Sequence, residues 1–145
     1  MLYDLLQDKE FAVILKNHAT QLLQYLFEKD QEFGIIADRK SITFDPSLPK
    51  EIYESLPEFP LFLLVNYTYE SAKIEDGRLF FEAGFGPQNF GSVVTVPIDA
   101  ILQIIVDETP IFVNLTATIS KKPSVKNSME AFLSNPENQK FLKKK

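Results

Sequence analysis

The 145-residue chain contains no cysteine and a single histidine, and these two absences exclude several kinds of site. Without cysteine, neither a disulfide framework nor a thiolate metal site is available. A zinc site takes about four ligands, and one histidine without cysteine does not supply the usual set. That histidine, His18, falls at an apolar position of a helical pattern, so we interpret it as a packed or interface residue.

Segments that direct a protein to a membrane are also lacking. No apolar run approaches the roughly 18 residues that a spanning helix requires. The first residues, MLYDLLQDKE, carry acidic side chains where a signal peptide carries positive charge. From these two features we expect a cytoplasmic protein that has no membrane partner.

Catalytic and cofactor motifs are missing as well. Gly84–Gly86 lacks the third glycine of a phosphate loop, and no Gly-Lys-Ser/Thr follows it. Glu75, Asp76 and Glu82 are close in sequence, but a solvated hairpin tip explains the first two. Enzymes need a mutually positioned set of reactive groups, and the sequence offers none. We expect a protein that is not an enzyme and takes no cofactor.

Charge of opposite sign is concentrated in two parts of the chain. Residues 1–119 carry 8 Lys and Arg against 18 Asp and Glu, a net charge of −10. Residues 120–145 carry 7 Lys against 2 Glu, a net charge of +5. An acidic body repels phosphate backbones, so nucleic acid is not expected as the main ligand. A lysine-rich end is commonly no more than a solvated tail.

Residues 2–28 are predicted to form a helix. Seven positions follow the spacing of one helix face: Phe11, Ile14, Leu15, His18, Leu22, Tyr25 and Leu26. Val13, Leu23 and Phe27 widen this face beyond a narrow stripe. A helix with two apolar sides packs against its own domain and against a second surface. We therefore expect a homodimer formed through this helix.

Short strands with turn signals between them are predicted after the helix. Their ranges are 34–38, 41–45, 61–69, 73–75, 78–85, 91–96, 103–106 and 111–119, with a short helix at 51–55. Asp76-Gly77 is a strong hairpin signal because the turn needs positive φ. The pattern indicates a mainly β domain over residues 1–119, with an N-terminal helix and a small antiparallel barrel or sandwich.

The last part of the chain, residues 120–145, has a different composition, rich in Ser, Lys, Pro and Asn. Asn135 can cap a short helix that starts at Pro136. So short a helix is marginal in water by itself. We expect a flexible basic tail whose apolar positions contact another protein.

The stretch 78–105 carries aromatic side chains beside small residues. With a period of two, one side of its first strand carries Leu79, Phe81, Ala83 and Phe85, and the other Phe80, Glu82 and Gly84. Small residues let another backbone approach closely, and the aromatic rings can offer pockets to an extended peptide. A second interpretation stays open from spacing alone, in which the phenylalanines only fill the core.

Two runs in this stretch, Phe80–Gly86 (FFEAGFG) and Ser92–Ala100 (SVVTVPIDA), resemble the core motif of the SspB family of protease adaptors. In that family a strand ending in an aromatic, a small residue, Phe and Gly is followed by Val-x-Val-Pro and a short apolar turn. The order of the N-terminal helix, the Pro-Leu segment at 46–48 and the apolar strand at 61–69 is also similar. The resemblance covers roughly residues 10–115.

This resemblance implies an Sm-like β-barrel with an N-terminal helix, in a dimeric adaptor that binds ssrA-type degradation tags. A C-terminal tail motif of the family docks on the N-terminal domain of ClpX and delivers the substrate to ClpXP at raised effective concentration. The peptide-binding residues implied here are Val65, Tyr67, Phe81, Glu82, Ala83, Gly84, Phe85, Gly86 and Pro87. The implied ClpX-docking residues are Phe141, Leu142, Lys143, Lys144 and Lys145.

Two alternatives from other classes stay open. An Sm-like RNA-binding module shares the barrel, but a basic surface with exposed aromatic rings is expected of it, and the body of this chain is acidic. A structural interaction protein would use the helix and the tail to bind an unknown partner. Glu82 also departs from a neutral groove, so the tag preference of this chain can differ from that of the family.

Overall fold

The computed structural model describes residues 1–118. Its α-helices are α1 (Leu2–Gln7), α2 (Lys9–Glu28), α3 (Lys50–Ser55) and α4 (Asn66–Ser71). Its strands are β1 (Phe33–Ala37), β2 (Thr43–Asp45), β3 (Leu61–Leu64), β4 (Lys73–Glu75), β5 (Arg78–Phe85), β6 (Phe90–Pro97), β7 (Ile101–Val106) and β8 (Thr109–Val113). Short 3-10 turns lie at Arg39–Ser41, Ile98–Ala100 and Leu115–Thr118.

The predicted N-terminal helix is interrupted at Asp8. This residue has extended backbone angles, and its carboxylate accepts a hydrogen bond from the Glu10 N–H at 2.8 Å. An aspartate side chain that bonds the backbone two residues later favours a helix start over a helix interior, which explains the break. No helix within residues 1–118 is long and apolar enough to cross a membrane.

The buried face of α2 is rotated relative to the predicted one. Ala19, Leu23 and Leu26 are the buried residues of this helix, whereas Ile14, His18 and Tyr25 are exposed. Ala19 is fully buried, and α2 packs against the 3-10 turn Ile98–Ala100. Exposed apolar side chains therefore remain on the other side of α2, and self-association through this helix stays a prediction.

The strands form two antiparallel four-stranded sheets. Sheet A has the order β3-β1-β7-β8, and sheet B has the order β2-β6-β5-β4. The prediction of a mainly β domain behind an N-terminal helix is confirmed. Closure into a barrel is not found in residues 1–118, because no strand pairs across from one sheet to the other. The chain passes between the sheets through turns, such as the one at Arg39–Ser41, which interrupt the ladder.

The predicted strand 61–69 is only half right. Strand β3 ends at Leu64, and the chain then turns at Asn66, whose φ is 52°. The Glu32 carboxylate accepts a hydrogen bond from the Asn66 N–H at 2.6 Å and so stabilises the turn from outside the segment. Residues 66–71 continue as α4, and Tyr67 and Tyr69 therefore do not share one strand face with Val65.

The last predicted strand, 111–119, is also shorter in the structure. Strand β8 ends at Val113, and Asn114 is buried at the corner that follows. The Asn114 side-chain oxygen accepts hydrogen bonds from the Thr116 N–H and hydroxyl, which bends the chain into a 3-10 turn. The hairpin prediction is confirmed: β4 and β5 have the predicted bounds, and Asp76 and Gly77 both have positive φ.

Aromatic rings fill much of the space between the sheets. Phe81 is 1% exposed, and its ring centroid lies 5.6 Å from that of Phe62. Phe85 packs edge-on against Phe44 at 5.6 Å and against Phe62 at 6.2 Å. Edge-to-face contacts of this kind add to the free energy of apolar burial. The inward side of β5 is thus firmly packed, and its outward side is left to form a surface.

Candidate functional site

The outward side of the β5–β6 hairpin has glycine on both strands close to its turn. Gly84 pairs with Gly91 in the register of this hairpin, and Glu82 pairs with Val93 two positions further from the turn. Residues two apart on a strand point to the same face, so these four positions share the outer face of sheet B. Neither glycine has a side chain to cover the backbone, and at Gly91 the space above the strand is open.

These four positions form the floor of a cleft of about 560 Å³, which has a wall on each side. Tyr67 and Thr68 of α4 form one wall, and Asp45 and Pro46 at the end of β2 form the other. We call this recess the hairpin cleft and define it by Asp45, Tyr67, Glu82, Gly84, Gly91 and Val93. Its volume falls in the range of ligand-binding clefts in proteins.

Hydrogen bonds tie α4 to the floor. The Tyr67 hydroxyl, on a side chain 61% exposed, donates to the Glu82 carboxylate at 2.8 Å. The Glu82 N–H donates to the Ser71 hydroxyl at 2.9 Å. This bond to the Glu82 carboxylate, together with its negative charge, raises the pKa of the Tyr67 phenol. The phenol therefore stays a donor, and it orients the carboxylate beside the floor.

A hydrogen bond ties the opposite wall to the floor as well. The Ser92 hydroxyl donates to the backbone carbonyl of Pro46 at 3.0 Å, and Ser92 is buried. Asp45 lies directly beside Val93 in the pairing of β2 with β6. The wall made by Asp45 and Pro46 is therefore fixed relative to the hairpin, and the site is largely preformed.

Asn89 covers one end of the floor. The residue lies in the turn after β5 with φ of 53°, and its N–H donates to the Gly86 carbonyl at 3.0 Å. A Cβ atom at Gly84 would lie 1.7 Å from the Asn89 side-chain oxygen, far inside van der Waals contact. Gly91 has open space at the corresponding position. Position 84 therefore requires glycine, because the Asn89 side chain occupies the space of a Cβ atom. Position 91 has room for a side chain, and glycine there keeps the cleft open.

The cleft has negative charge and no compensating cation among its described lining residues. Asp45 and Glu82 line it, and neither belongs to an ion pair of residues 1–118. Within the same residues, no group of three or more His, Asp or Glu side chains could hold a metal ion. His18 lies on the exposed side of α2. The chemistry available in the cleft is therefore hydrogen bonding, apolar contact and attraction of positive charge.

Four of the nine peptide-binding residues implied by the resemblance line the cleft: Tyr67, Glu82, Ala83 and Gly84. Phe81 is buried in the core, and Phe85 is partly buried and packs against the core on the inward side of β5. Val65 is exposed outside the cleft, and Gly86 and Pro87 lie in the turn beyond the end of β5. The positions of these two rings agree with the second interpretation from the sequence, in which the phenylalanines fill the core.

Several lining residues were not predicted from the sequence: Asp45, Pro46, Thr68, Asn89, Gly91, Ser92 and Val93. Pairing the two predicted strands across a four-residue turn would have placed Gly91 opposite Gly84 and Val93 opposite Glu82. The wall residues carry no such local signal, because β2 and α4 approach the hairpin only through tertiary packing. The predicted ClpX-docking residues, Phe141 to Lys145, lie outside the described residues.

The fold and the cleft together define a class, a mainly β domain of two antiparallel sheets with an N-terminal helical region and a cleft on the outer face of sheet B. Comparison with known proteins adds no relative to this description. No protein-family model matches the chain, and no curated protein matches it either.

Proposed function

We propose that the protein is a non-enzymatic adaptor that binds an extended peptide tag in the hairpin cleft. The observation that carries the proposal is the Gly84–Gly91 pair between two walls: Gly91 leaves β6 without side-chain cover, and the side chain over Gly84 is that of Asn89 in the adjoining turn. Backbone exposed in a cleft can form main-chain hydrogen bonds with any extended peptide, while the walls select among its side chains.

The direction of the backbone groups on β5 supports strand addition. The Glu82 N–H donates to Ser71 and therefore points away from β6. In an antiparallel ladder the polar groups of residues two apart point to the same side, so the N–H and C=O of Gly84 point away from β6 as well. Strand β4 pairs with β5 only as far as Phe80, and Ser71 of α4 takes the Glu82 N–H, so it is at Gly84 that this side of β5 lacks a strand partner in residues 1–118.

The adaptor role extends the proposal by way of the resemblance to the SspB family. The tag would be of the ssrA type, and the tail residues Phe141 to Lys145 would dock on the ClpX N-terminal domain. A tether of this kind raises the local concentration of the bound substrate at the protease without new contacts to it. Dimerisation through the exposed apolar side of α2 would present two tags together.

RNA binding is the less favoured role for the same cleft. Its described lining residues include two carboxylates and neither lysine nor arginine. Phosphate backbones bind where lysine and arginine release counterions, and an acidic cleft opposes this. The absence of salt-dependent gel shifts with single-stranded RNA is the expected result.

Titration of a fluorescein-labelled ssrA-type peptide tests tag binding. Gly91→Leu fills the open space above the floor and should weaken binding by about tenfold or more, which corresponds to about 1.4 kcal/mol. Thr95→Leu is the matched control, because residue 95 is on the same face of β6 but outside the cleft. Absence of saturable binding by the unmodified protein, or equal affinity of both variants, contradicts the proposal.

Delivery is tested separately by following degradation of an ssrA-tagged reporter by ClpXP. The full chain should accelerate degradation at low reporter concentration, and Leu142→Asp should abolish the acceleration while peptide affinity is retained. If Leu142→Asp accelerates degradation as the unmodified chain does, the docking role of the tail is wrong, and tag binding is judged by the titration alone.

A further inference from the structure

The hairpin cleft has one apolar side chain with a carboxylate on each side of it. Val93 pairs with Glu82 of β5 and with Asp45 of β2, so the three residues form one row across three neighbouring strands. Adjacent strands lie about 4.8 Å apart, and the outer two residues are therefore about 10 Å apart. Val93 is 39% exposed at the centre of this row.

The two carboxylates are available to a ligand. Tyr67 donates to one oxygen of Glu82, and the carboxylate keeps acceptor capacity on its other oxygen. Ion pairs of residues 1–118 involve other acidic side chains, namely those of Asp4, Glu54 and Glu75. A bound peptide therefore meets two negative charges that no cation of the cleft lining neutralises.

The row fits one type of peptide side chain well. Lysine and arginine have an apolar stem and a charged head, and the stem can pack on Val93 while the head reaches a carboxylate. The Tyr67 ring beside Glu82 adds a face on which a cation is favourable. An acidic peptide side chain at the same place would be repelled by both carboxylates.

Resting on the proposed function, we propose that the hairpin cleft selects peptides with a lysine or arginine side chain over Val93, between Asp45 and Glu82. The occupant is thus an extended peptide with a basic residue at one defined position. This preference separates the chain from a neutral peptide groove, in which the side chain at that position would be chosen by size alone.

A lysine scan of the ssrA-type peptide tests the inference. Each position is replaced in turn by lysine, by uncharged norleucine of similar length, and by glutamate. We expect one position at which lysine binds about three- to tenfold more tightly than norleucine and glutamate binds more weakly than both. Comparing the affinities of the lysine and arginine peptides at that position shows whether the cleft prefers a compact ammonium or a planar guanidinium group.

The protein side of the test is Asp45→Asn together with Glu82→Gln, which keep shape and remove charge. The readout is the ratio of lysine to norleucine affinity, which should fall to about one in the double variant and should shrink at high salt in the unmodified protein. Thermal unfolding of each variant checks that it folds, and Glu82→Gln alone supplies a second variant with a partial loss of the ratio.

The two proposals fail in different ways. If the peptides bind but lysine and norleucine are equivalent at every position, the charge preference is wrong and tag binding stands. If the preference survives in the double variant, the basic side chain is recognised elsewhere and the inference is overturned. If no peptide of the scan binds, the proposed function fails, and this inference fails with it.

Discussion

The outer faces of the two sheets differ in character although both belong to four-stranded antiparallel sheets. On sheet A the outward positions of the edge strand are apolar, with Leu61 and Leu63 of β3 exposed and Leu61 paired with Ile36 of β1. On sheet B the outward positions of β2, β5 and β6 include a glycine pair, a valine and two carboxylates. One face is covered by aliphatic side chains, and the other is recessed and charged.

The two faces also differ in how far side chains cover their backbone. Leu61 and Leu63 lie close above Gly34, so the backbone there is covered by side chains from the edge strand. At Gly91 no atom lies within 4 Å of the Cβ position, and the backbone of sheet B is open. A recess with uncovered backbone and directed polar groups gives orientation, which an aliphatic surface lacks.

The largest effect is expected at Phe81, and its neighbour Glu82 is the comparison. The two residues are adjacent on β5 but point to opposite faces of sheet B. Phe81→Ala removes a ring from the core and should lower the free energy of unfolding by about 3–5 kcal/mol. Glu82→Ala changes an exposed side chain and should alter it by less than about 0.5 kcal/mol. Urea unfolding measures both, and similar losses would contradict the separation of core and cleft along this strand.

The two floor glycines should respond in opposite directions to alanine. Gly84→Ala meets the Asn89 side chain and should lower stability by about 1 kcal/mol. Gly91→Ala enters open space and should raise stability by about 0.4–1 kcal/mol, since it reduces the freedom of the unfolded chain. Thermal unfolding gives both values.

An Asn89→Gly background provides the control for this pair. With the amide gone, the loss caused by Gly84→Ala should fall below about 0.5 kcal/mol, because the two positions are in direct contact. An unchanged loss would mean that the glycine is required for a reason other than the Asn89 side chain.

Glutamine substitutions on the two outer faces test which of them binds the peptide. Val93→Gln should lower the affinity for an ssrA-type peptide by about fivefold to tenfold, because an apolar contact at the centre of the cleft is lost. Leu63→Gln, on a side chain 60% exposed, should change that affinity by less than about twofold. If Leu63→Gln weakened binding more, the peptide would bind on sheet A.

The smallest effect concerns the Tyr67 phenol. Its pKa is raised, first by the hydrogen bond to Glu82 and then by the negative charge of that carboxylate. A raised pKa favours the protonated phenol in the folded state, so its contribution is present below the ordinary tyrosine pKa and is lost as pH rises through the raised one. Ultraviolet difference titration should show Glu82→Gln moving this pKa down.

Tyr69 is the internal control for this titration. Its pKa is raised mainly by burial, with smaller contributions from Asp30 and Glu32, and none of these involves Glu82. Glu82→Gln should leave the titration of Tyr69 in place. A shift of both phenols together would indicate a change of fold rather than the loss of one hydrogen bond.

Local chemistry made part of the molecule predictable. Asp76-Gly77 predicted the β4–β5 hairpin because few other dipeptides tolerate positive φ at both positions. Alternation along β5 predicted that Phe81 and Glu82 point to opposite faces. The same alternation could not say which face is covered, and the resemblance therefore listed Phe81 with the groove whereas the structure buries it.

Two of the failures, the early end of β3 and the buried face of α2, have a common cause, which is that the deciding contact comes from a distant residue. Glu32 stabilises the turn at Asn66 that ends β3. The buried face of α2 packs against the turn Ile98–Ala100, more than 70 residues further along the chain. Neither partner lies within the window of residues from which a period or a propensity is read.

By itself, the sequence determined the mainly β character, the N-terminal helical region, the hairpins and the acidic charge of the described part, because each follows from composition or from contacts between near neighbours. Tertiary structure alone decided that the strands form two separate sheets and that α4 and the end of β2 enclose the Gly84–Gly91 pair. The physical reason is that packing across sheets joins residues whose separation along the chain leaves no periodic signal.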